Sequence, residues 1–544
     1  MMATVGIRRF GALVVLLVFV VGATGVAGVG TAAATDAPTA TTRAAAASTS
    51  PSKPNIVFVL TDDLDMREVS TMPHVKALIA EQGATLSNYF VSNSLCCPSR
   101  ATTLRGQYAH NDGVESNGGG NGGFEAAYTK GIERSTVGTW LHRVGYRTAL
   151  IGKYLNGYPN GANTRYEPPG WDDWITPSRP GNPYAEYDYT LNDNRRLVHH
   201  GHAPTDYGTD VYMHAARTFI NRSAQQRRPF FLYLAPYAPH RPATPAPRDI
   251  GAYPGAHAPH TASYDEADVR DKPAWVRREP RLSPFVQGKI NGLYRRRIRS
   301  LRAVDRGVAG LVSTLEKSGQ LDNTYFVFTS DNGFHLGQHR LPAGKQTAYE
   351  EDIHVPMFVR GPGVPAGSNV TALVGNVDLA PTFAGLAGAR VPAFVDGRSF
   401  ARFLGHPDQS ADDWRHAYLL EHWQETPGGP RRNGDLPLEP PDPDQSGPGR
   451  AVNAAKRKHP HRHVQWLALN DIPNFRGLRT ARYTYVEYDT GERELYDLTT
   501  DPAELRNLPP NTHTALRERL HEELLALADC SGASCRKAEA PDPG

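Results

Sequence analysis

The segment from Cys96 to Gly106 has the most informative spacing in the chain, C-x-P-S-R-x-x-x-L-x-G. It places Arg100 four residues after Cys96. If a helix begins at about Pro98, Cys96 lies at its N-terminus, where the helix dipole favours an anion. A buried structural thiol is the alternative. Cys97 is unsuited to pairing with its neighbour, because a disulfide between adjacent cysteines is strained, so the pair needs another explanation.

Acidic side chains follow two apolar runs of the sequence. Asp62 and Asp63 end one run, and Asp331 and Asn332 end another. If the two strand ends meet at one edge of a parallel sheet, three carboxylates and an amide lie together, and the repulsion between like charges calls for a cation. All-oxygen ligands suit Ca²⁺ or Mg²⁺ rather than zinc. Two unrelated turn caps are the alternative, because Asp and Asn are common in turns.

Basic side chains also follow apolar runs. Lys153 and His240 come after such runs, and Lys345 lies beyond the loop of Asp331. Taken singly, a lysine is usually a solvated surface group and a histidine a structural one. Together with Arg100, these groups could neutralise a bound sulfate and protonate a leaving alcohol.

The string over 96–106 resembles the signature of the type I sulfatases, and further strings extend the resemblance over nearly all of residues 55–535. Within that family the chain is most similar to the group of N-acetylglucosamine-6-sulfatases and extracellular heparan sulfatases. The matching strings cover residues 95–100, 108–111, 152–156, 238–240, 329–338, 349–356 and 530–532.

The resemblance implies that Cys96 is oxidised to formylglycine by a formylglycine-generating enzyme. One hydroxyl of the hydrated aldehyde, held by the metal and Arg100, attacks sulfur, and the other later expels sulfate. His240 or a neighbour protonates the leaving alcohol, while Lys153 and Lys345 hold the sulfate oxygens. The residues that bind Ca²⁺ (or Mg²⁺), with an oxygen of modified Cys96, are then Asp62, Asp63, Asp331 and Asn332.

One position departs from the pattern of many arylsulfatases. These carry a histidine two residues after the lysine that matches Lys153, where this chain has Leu155 followed by Asn156. The glucosamine-6-sulfatase group shares Lys-Tyr-Leu-Asn, so the departure is interpreted as a subgroup trait. It leaves open which residue assists the aldehyde hydrate. Asn156, His335 and His339 are predicted substrate contacts.

The sequence is compatible with three functions. The first is a secreted sulfatase acting on a sulfated sugar such as 6-sulfated N-acetylglucosamine, with a broad-specificity arylsulfatase as a variant. The second is a phosphodiesterase or phosphonate monoester hydrolase of the same superfamily. The third is a non-catalytic binding protein with an unmodified Cys96, which the costly set of buried charges argues against.

The elements that must position these residues follow from periodicity. Apolar runs at 55–60, 229–234 and 325–329 predict strands buried on both faces of a parallel sheet. Helical spacing predicts helices at 73–81 and 293–317, and the arginines of the second helix predict a solvated face. The alternation predicts an α/β fold with a mainly parallel sheet flanked by helices, and the resemblance implies that it is alkaline-phosphatase-like.

The C-terminal part differs in composition. We expect the catalytic domain to span 54–405, and 406–535 to form an α+β subdomain with a flexible insertion at 426–463 and a tail at 536–544. Strand-like runs at 464–467, 483–488 and 494–497 predict a small antiparallel sheet, and a helix follows at 514–527. Cys530 and Cys535 are predicted to form a disulfide, as expected for two close cysteines in an exported protein, with two free thiols or half of a metal site as the alternatives.

The N-terminus predicts export from the cell, and bacterial export is expected. Residues 1–34 have the basic start, apolar run and small-residue end of a signal peptide, and 35–53 have the composition of a disordered linker. No other run is long and apolar enough for stable membrane insertion. The formal net charge of +3 and the dispersed basic residues give no indication of nucleic acid binding. A secreted or extracytoplasmic protein is therefore expected.

Overall fold

The computed structural model describes residues 53–427 and 472–540. The predicted signal peptide, the linker up to residue 52, the run 464–467 and nearly all of the predicted insertion lie outside these residues. The strands are β1 (Asn55–Thr61), β2 (Ala84–Leu86), β3 (Tyr89–Phe90), β4 (Arg147–Gly152), β5 (Asp173–Gly181), β6 (Tyr189–Asp193), β7 (Arg196–His200), β8 (Phe230–Ala235), β9 (Thr324–Ser330), β10 (His335–Leu336), β11 (Ala343–Gly344), β12 (Phe358–Arg360), β13 (Ser368–Val370), β14 (Val374–Gly375), β15 (Ala417–His422), β16 (Phe475–Thr480), β17 (Tyr483–Tyr488) and β18 (Arg493–Asp497).

Helices cover both faces of the main sheet. The helices are α1 (Pro73–Val75), α2 (Cys96–Arg105), α3 (Ala109–Asp112), α4 (Gly123–Lys130), α5 (Val137–Arg143), α6 (Gly208–Gln225), α7 (Ala274–Arg277), α8 (Pro284–Lys317), α9 (Glu350–Ile353), α10 (Leu379–Ala387), α11 (Ala401–Gly405), α12 (Thr514–Ala528) and α13 (Ala533–Ala538). The predicted helix at 73–81 is α1 continued by a π-helical turn, Lys76–Ala80. Among the described residues, no helix has both the length and the apolar character needed to cross a bilayer.

The main sheet has the order β13-β2-β12-β9-β1-β8-β4-β5-β6-β7. Its centre, from β9 to β5, is parallel, and antiparallel pairs occur where β12 joins β9 and where β6 and β7 extend the other edge. The predicted runs 55–60, 229–234 and 325–329 correspond to β1, β8 and β9. The predicted mainly parallel α/β sheet is therefore confirmed.

The central strand β1 is buried throughout because it is covered on both faces. Ile56 and Phe58 face a core that includes residues of α2, α5 and α10. Val57 and Val59 face the opposite core, which is built largely from α6 and α8. The alternation of strand side chains thus divides one continuous apolar run between two cores.

Helix α8 is longer than predicted and has a defined start. Ser283 caps it by accepting a hydrogen bond from the backbone N–H of Val286 at 3.3 Å, and Pro284 occupies the first turn. The prediction of a solvated arginine face is wrong for Arg297, which is fully buried. Its guanidinium makes a bidentate ion pair with Glu68, at 2.7 and 2.6 Å.

The small antiparallel sheet near the C-terminus has the order β15-β16-β17-β18. Strands β17 and β18 confirm the runs predicted at 483–488 and 494–497, whereas the sequence analysis missed β15 and β16. Helix α12 corresponds to the predicted helix at 514–527, and Cys530 and Cys535 form the predicted disulfide. The C-terminal antiparallel sheet is therefore confirmed.

Candidate active site

The acidic residues meet at the carboxyl edge of the main sheet. Strands β1 and β9 pair in parallel with Thr61 opposite Ser330, so the residues that follow each strand lie at the same level. The amide of Asn332 donates to Asp63 Oδ1 at 2.7 Å. The backbone N–H of Asp63 donates to Asp331 Oδ1 at 3.0 Å. The structure thus brings together the two polar loops that the sequence analysis placed at neighbouring strand ends.

Asp63 has a backbone conformation that is uncommon for a residue with a side chain. Its φ is 68°, in the left-handed region, which is costly for residues other than glycine and is enriched at functional sites. The carbonyl of Asp63 accepts a hydrogen bond from buried Arg297. The pairing of Arg297 with Glu68 therefore also helps to hold the Asp63 backbone.

Cys96 is the first residue of α2 and is fully buried. Its Sγ lies 3.4 Å from Asp62 Oδ1 and 3.8 Å from Asp63 Oδ1. Helix α2 ends at Gly106, whose φ of 70° is the left-handed conformation usual at a helix C-terminus. Side chains of α2 pack against α10 and the sheet. The helix therefore holds Cys96 directly above the carboxylates.

Three cationic side chains surround this group. Lys345 Nζ lies 2.7 Å from Cys96 Sγ and 2.8 Å from Asp63 Oδ1. Lys153, which follows β4, places its Nζ 2.7 Å from Asp62 Oδ2. Arg100 donates from Nε to Asp331 Oδ2 at 2.8 Å and from Nη1 to the carbonyl of Lys153 at 3.1 Å. Its Nη2 makes no hydrogen bond among the described residues and lies 3.8 Å from Asp62 Oδ1.

His240 approaches the same carboxylates from the loop after β8. Its Nε2 lies 3.6 Å from Asp63 Oδ2, and its Nδ1 lies 2.6 Å from the carbonyl of Arg241. Because a carbonyl only accepts, Nδ1 carries a proton in this arrangement. The other ring nitrogen therefore faces the carboxylate cluster and can exchange a proton there.

The surroundings of each group set its protonation. Burial alone would raise the pKa of Asp63, but Lys345 and His240 outweigh it and hold that pKa well below its ordinary value. Burial, reinforced by Asp62, raises the pKa of the Cys96 thiol. The pKa of Lys153 is raised despite burial, because Asp62 stabilises its charge. The site therefore combines a charged Lys153 with a Cys96 thiol that burial favours over the thiolate, the nucleophilic form of cysteine.

Comparison with known proteins decides the family. The sequence model described as Sulfatase matches residues 54–389. N-acetylglucosamine-6-sulfatase of Capra hircus is 33% identical over 507 residues, covering 90% of this chain and 86% of that protein. This chain belongs to the sulfatase family. It is accordingly an enzyme, a sulfuric ester hydrolase, and the predicted resemblance is confirmed.

Further relatives of this sulfatase agree. The putative extracellular sulfatase Sulf-1 homologue of Caenorhabditis elegans is 35% identical over 380 residues, covering 69% of this chain and 52% of that protein. A solved structure of a protein in complex with its substrate D-glucosamine-2-N,6-O-disulfate has a TM-score of 0.67 and 24% identity, covering 90% of this chain and 99% of that one. The second comparison supports the fold.

The strand-end residues of the sulfatase fit a divalent cation. Ligand atoms of Asp62, Asp63, Cys96 and His240 all lie within 4.8 Å of one another, whereas the predicted ligand Asp331 is not part of this group and accepts from Arg100. The Oδ1 of buried Asn332 has no hydrogen-bond partner among the described residues, although its amide nitrogen donates to Asp63 and Gly333. A buried amide oxygen without a hydrogen-bond partner beside carboxylates is available to coordinate a cation. The donor atoms are mostly oxygens, which suits Ca²⁺ or Mg²⁺.

The predicted substrate contacts have different surroundings. Asn156 is buried, donates to the hydroxyl of Tyr184 at 3.3 Å and lines a cavity of about 20 Å³ with Lys153. His335 is buried, with Nδ1 3.0 Å from both oxygens of Asp352. Strand pairing places it opposite Gly344, next to Lys345.

His339 belongs to a different group of side chains. Its Nδ1 lies 2.7 Å from Glu266 Oε2, and its ring stacks on Tyr349 at 4.0 Å between centroids. The structure thus brings Asn156 and His335 beside the lysines of the site and places His339 among acidic side chains.

Several contributors to the site were missed by the sequence analysis. Tyr184, from the turn after β5, has its ring 5.1 Å from Lys153 Nζ and 4.7 Å from the ring of His240. Asn117 accepts from the backbone N–H of Cys97 at 2.9 Å. Ser99 donates to the carbonyl of Asp331. Only Ser99 carried a signal, because it lies within the signature string.

Proposed function

We propose that this sulfatase hydrolyses sulfate monoesters of a sulfated sugar, with 6-sulfated N-acetylglucosamine as the first candidate, through formylglycine derived from Cys96. The observation that carries the proposal is the position of Cys96. It lies at the start of α2, within 3.8 Å of Asp62 and Asp63, and it contacts the ammonium of Lys345.

Formylglycine, once formed and hydrated, supplies a hydroxyl nucleophile and a second hydroxyl that can expel sulfate. The protein residues around it handle charge. The guanidinium of Arg100 and the ammonium groups of Lys153 and Lys345 surround the position of Cys96 and its carboxylates, so they would stabilise the negative charge of the transition state. Arg100 is itself fixed by Asp331, which keeps this donor oriented without reorganisation.

Asp62, Asp63, Asp331 and Asn332 would hold the cation, with Ca²⁺ as the first candidate and Mg²⁺ as the alternative. The cation would act as a Lewis acid toward the oxygens at the site. His240 is positioned to protonate the leaving alcohol, because its Nδ1 is occupied by the carbonyl of Arg241 and its Nε2 faces Asp63. Asn156 and His335 are proposed substrate contacts beside Lys153 and Lys345.

Two of the comparisons support the choice of substrate. One relative is named N-acetylglucosamine-6-sulfatase, and a protein of the same fold was solved with D-glucosamine-2-N,6-O-disulfate. We further propose that the chain is secreted after removal of residues 1–34, as the name of an extracellular relative supports. A formylglycine-generating enzyme of the host would modify Cys96. The division into a catalytic domain at 54–405 and a C-terminal subdomain at 406–535 belongs to the same proposal.

A matched substrate panel tests this function. Enzyme coexpressed with a formylglycine-generating enzyme is assayed with N-acetylglucosamine-6-sulfate, an aryl sulfate, the corresponding phosphate esters and a phosphonate monoester, with Cys96→Ala as control. We expect kcat/KM for the sugar sulfate to exceed that for its phosphate analogue by at least about 10²-fold, a difference of about 3 kcal/mol in transition-state binding. Faster hydrolysis of the phosphate or phosphonate would assign a different activity, and preference for the aryl sulfate would make it a general arylsulfatase.

A further inference from the structure

A second group of buried acidic and imidazole side chains lies outside the Cys96 site. His339, Glu351 and Glu504 are all buried, and one ligand atom of each lies within 4.8 Å of the others. They come from three places in the chain. His339 lies in the loop between β10 and β11, Glu351 lies in α9, and Glu504 follows β18.

Each of the three side chains has one atom fixed and another left over. Glu351 accepts from Ser263 at 2.9 Å through Oε1, and Glu504 accepts from the backbone N–H of Glu350 at 2.9 Å through Oε2. Oε2 of Glu351, Oε1 of Glu504 and Nε2 of His339 make no hydrogen bond of normal geometry among the described residues, although the hydroxyl of Thr484 interacts with the Glu504 carboxyl group. Buried polar atoms are rarely left in this state without a ligand.

Glu266 completes the arrangement from behind. Its Oε2 lies 2.7 Å from Nδ1 of His339. With Nδ1 donating to that carboxylate, Nε2 is the acceptor nitrogen of the ring, and Oε2 of Glu351 lies 3.8 Å from it. A carboxylate that orients a histidine in this way is a frequent partner of metal-binding histidines.

The local charge balance also calls for a cation. Three carboxyl groups, of Glu266, Glu351 and Glu504, share a buried region in which Lys272 lies 3.9 Å from Glu266 and Arg67 lies 3.7 Å from Glu351.

We propose that His339, Glu351 and Glu504 form a second metal site for a transition-metal dication, with Zn²⁺ as the expected ion. Imidazole nitrogen and carboxylate oxygen are both zinc ligands, whereas Ca²⁺ prefers oxygen ligands alone. Bonds of about 2.0 Å in a tetrahedron require ligand separations of about 3.3 Å. The observed 3.8 Å between His339 and Glu351 is close to that distance.

The site would tie the catalytic loop to the C-terminal sheet region. His339 lies six residues before Lys345, and the backbone N–H of Phe334 donates to the carbonyl of Glu351 at 2.9 Å. Glu504 belongs to the segment that follows the small antiparallel sheet. A bound metal would therefore link the loop that carries Lys345 to residues about 160 positions further along the chain.

The test is to measure the metal content of the purified enzyme by inductively coupled plasma mass spectrometry. Protein from zinc-supplemented medium is passed through metal-free buffer, and we expect about one equivalent of zinc per chain. Glu504→Gln and His339→Ala should lose the zinc. Asp63→Asn, in the proposed Ca²⁺ site, should retain it, so failure of the two proposals can be told apart. Glu494→Gln is the matched control, because Glu494 is a buried glutamate that already accepts from three tyrosine hydroxyls, and it should keep its zinc.

A second readout covers variants that fail to fold. Zinc added to metal-depleted wild-type enzyme should raise its Tm, because binding to the native state stabilises it, and the rise should be absent in His339→Ala. Wild-type enzyme that binds less than about a tenth of an equivalent of zinc and shows no Tm shift would overturn the proposal. An unchanged zinc content in both His339→Ala and Glu504→Gln would also overturn it. If His339→Ala then had a raised KM for the sugar sulfate, His339 would be a substrate contact.

Discussion

The ammonium of Lys345 lies 2.7 Å from Sγ of Cys96. The same nitrogen lies 2.8 Å from Asp63 Oδ1, so one cationic group links the position of the nucleophile to the carboxylate cluster. Both residues are buried, and the interaction is little screened by solvent. Lys345 is therefore placed to act on charge that develops at residue 96.

Replacement of Lys345 by methionine tests that relationship. Lys345→Met keeps the apolar stem and removes the charge, so we expect kcat for sulfate ester hydrolysis to fall by at least about 10²-fold. Lys76→Met, at an exposed lysine, is the control and should leave kcat unchanged. A Lys345→Met enzyme with normal kcat and a raised KM would limit this lysine to ground-state binding.

The two adjacent cysteines should respond differently to substitution. Cys96→Ala removes the proposed nucleophile and should reduce activity by at least about 10³-fold. Cys97 packs in the apolar core beneath α2, so Cys97→Ala should retain activity within a few-fold and lower the Tm. Equal loss of activity in the two folded variants would contradict the assignment of Cys96 alone.

The cation should be required for activity. Chelation should abolish hydrolysis, and Ca²⁺ or Mg²⁺ should restore it. Asn332→Ala removes the unpartnered Oδ1 and should raise the cation concentration needed for half-maximal activity by at least about tenfold. Titration of metal-depleted enzyme with each ion gives these values. Full activity in the chelated enzyme would rule out a catalytic cation.

His110 should make stability depend on pH. Its Nδ1 lies 2.7 Å from Glu421 and its Nε2 lies 3.0 Å from the carbonyl of Cys530. Burial opposes its charge, but Glu421 outweighs burial and raises the pKa of His110 to about 9. Between pH 6.5 and 9 the native state holds a proton that the unfolded chain releases, so stability is fully present below pH 6.5 and is lost as pH rises through 9.

Urea unfolding at pH 6 and pH 9.5 measures this effect. The wild type should lose up to about 3 kcal/mol more than His110→Gln over this interval. The motif that contains His110 would then be a structural tie to the C-terminal segment. The same change of unfolding free energy with pH in both proteins would exclude a protonated His110.

The buried ion pair of Arg297 and Glu68 should be important for both stability and the site. Arg297→Met leaves Glu68 without its partner and should cost about 3–5 kcal/mol. The double variant Glu68→Gln/Arg297→Met should be more stable than Arg297→Met alone, because it no longer buries an uncompensated acid. Both should lower kcat, since Arg297 also donates to the carbonyl of Asp63. The Glu68→Gln single variant completes the cycle. If the losses of unfolding free energy in the two single variants add up to the loss in the double variant, the two residues are not coupled.

The sequence was sufficient for the parts of the site that depend on local pattern. Apolar runs predicted β1 and β9, and the strand-end rule placed Asp62 beside Asp331. The sequence analysis placed a helix start at about Pro98, and the helix begins two residues earlier, at Cys96. These features are local, because an apolar run or a helix start is encoded within about ten residues.

Features that depend on long-range packing could not be predicted. Glu68 and Arg297 are 229 positions apart, and nothing near either residue in the sequence indicates the other. The helical pattern alone therefore places Arg297 on a solvated face. Tyr184 reaches Lys153 from a turn, and turns carry little periodic signal. Strands β15 and β16 lack a clear alternation of apolar and polar residues and are stabilised by neighbouring strands.

The presence of formylglycine at position 96 is tested by the mass of the tryptic peptide from Ala77 to Arg100. The protein should come from its native host or from cells that contain a formylglycine-generating enzyme, and the same preparation should be assayed for sulfate release. We predict an aldehyde or its hydrate at Cys96 and an intact thiol at Cys97. Two intact thiols at full occupancy in a preparation that hydrolyses sulfate esters would contradict formylglycine catalysis.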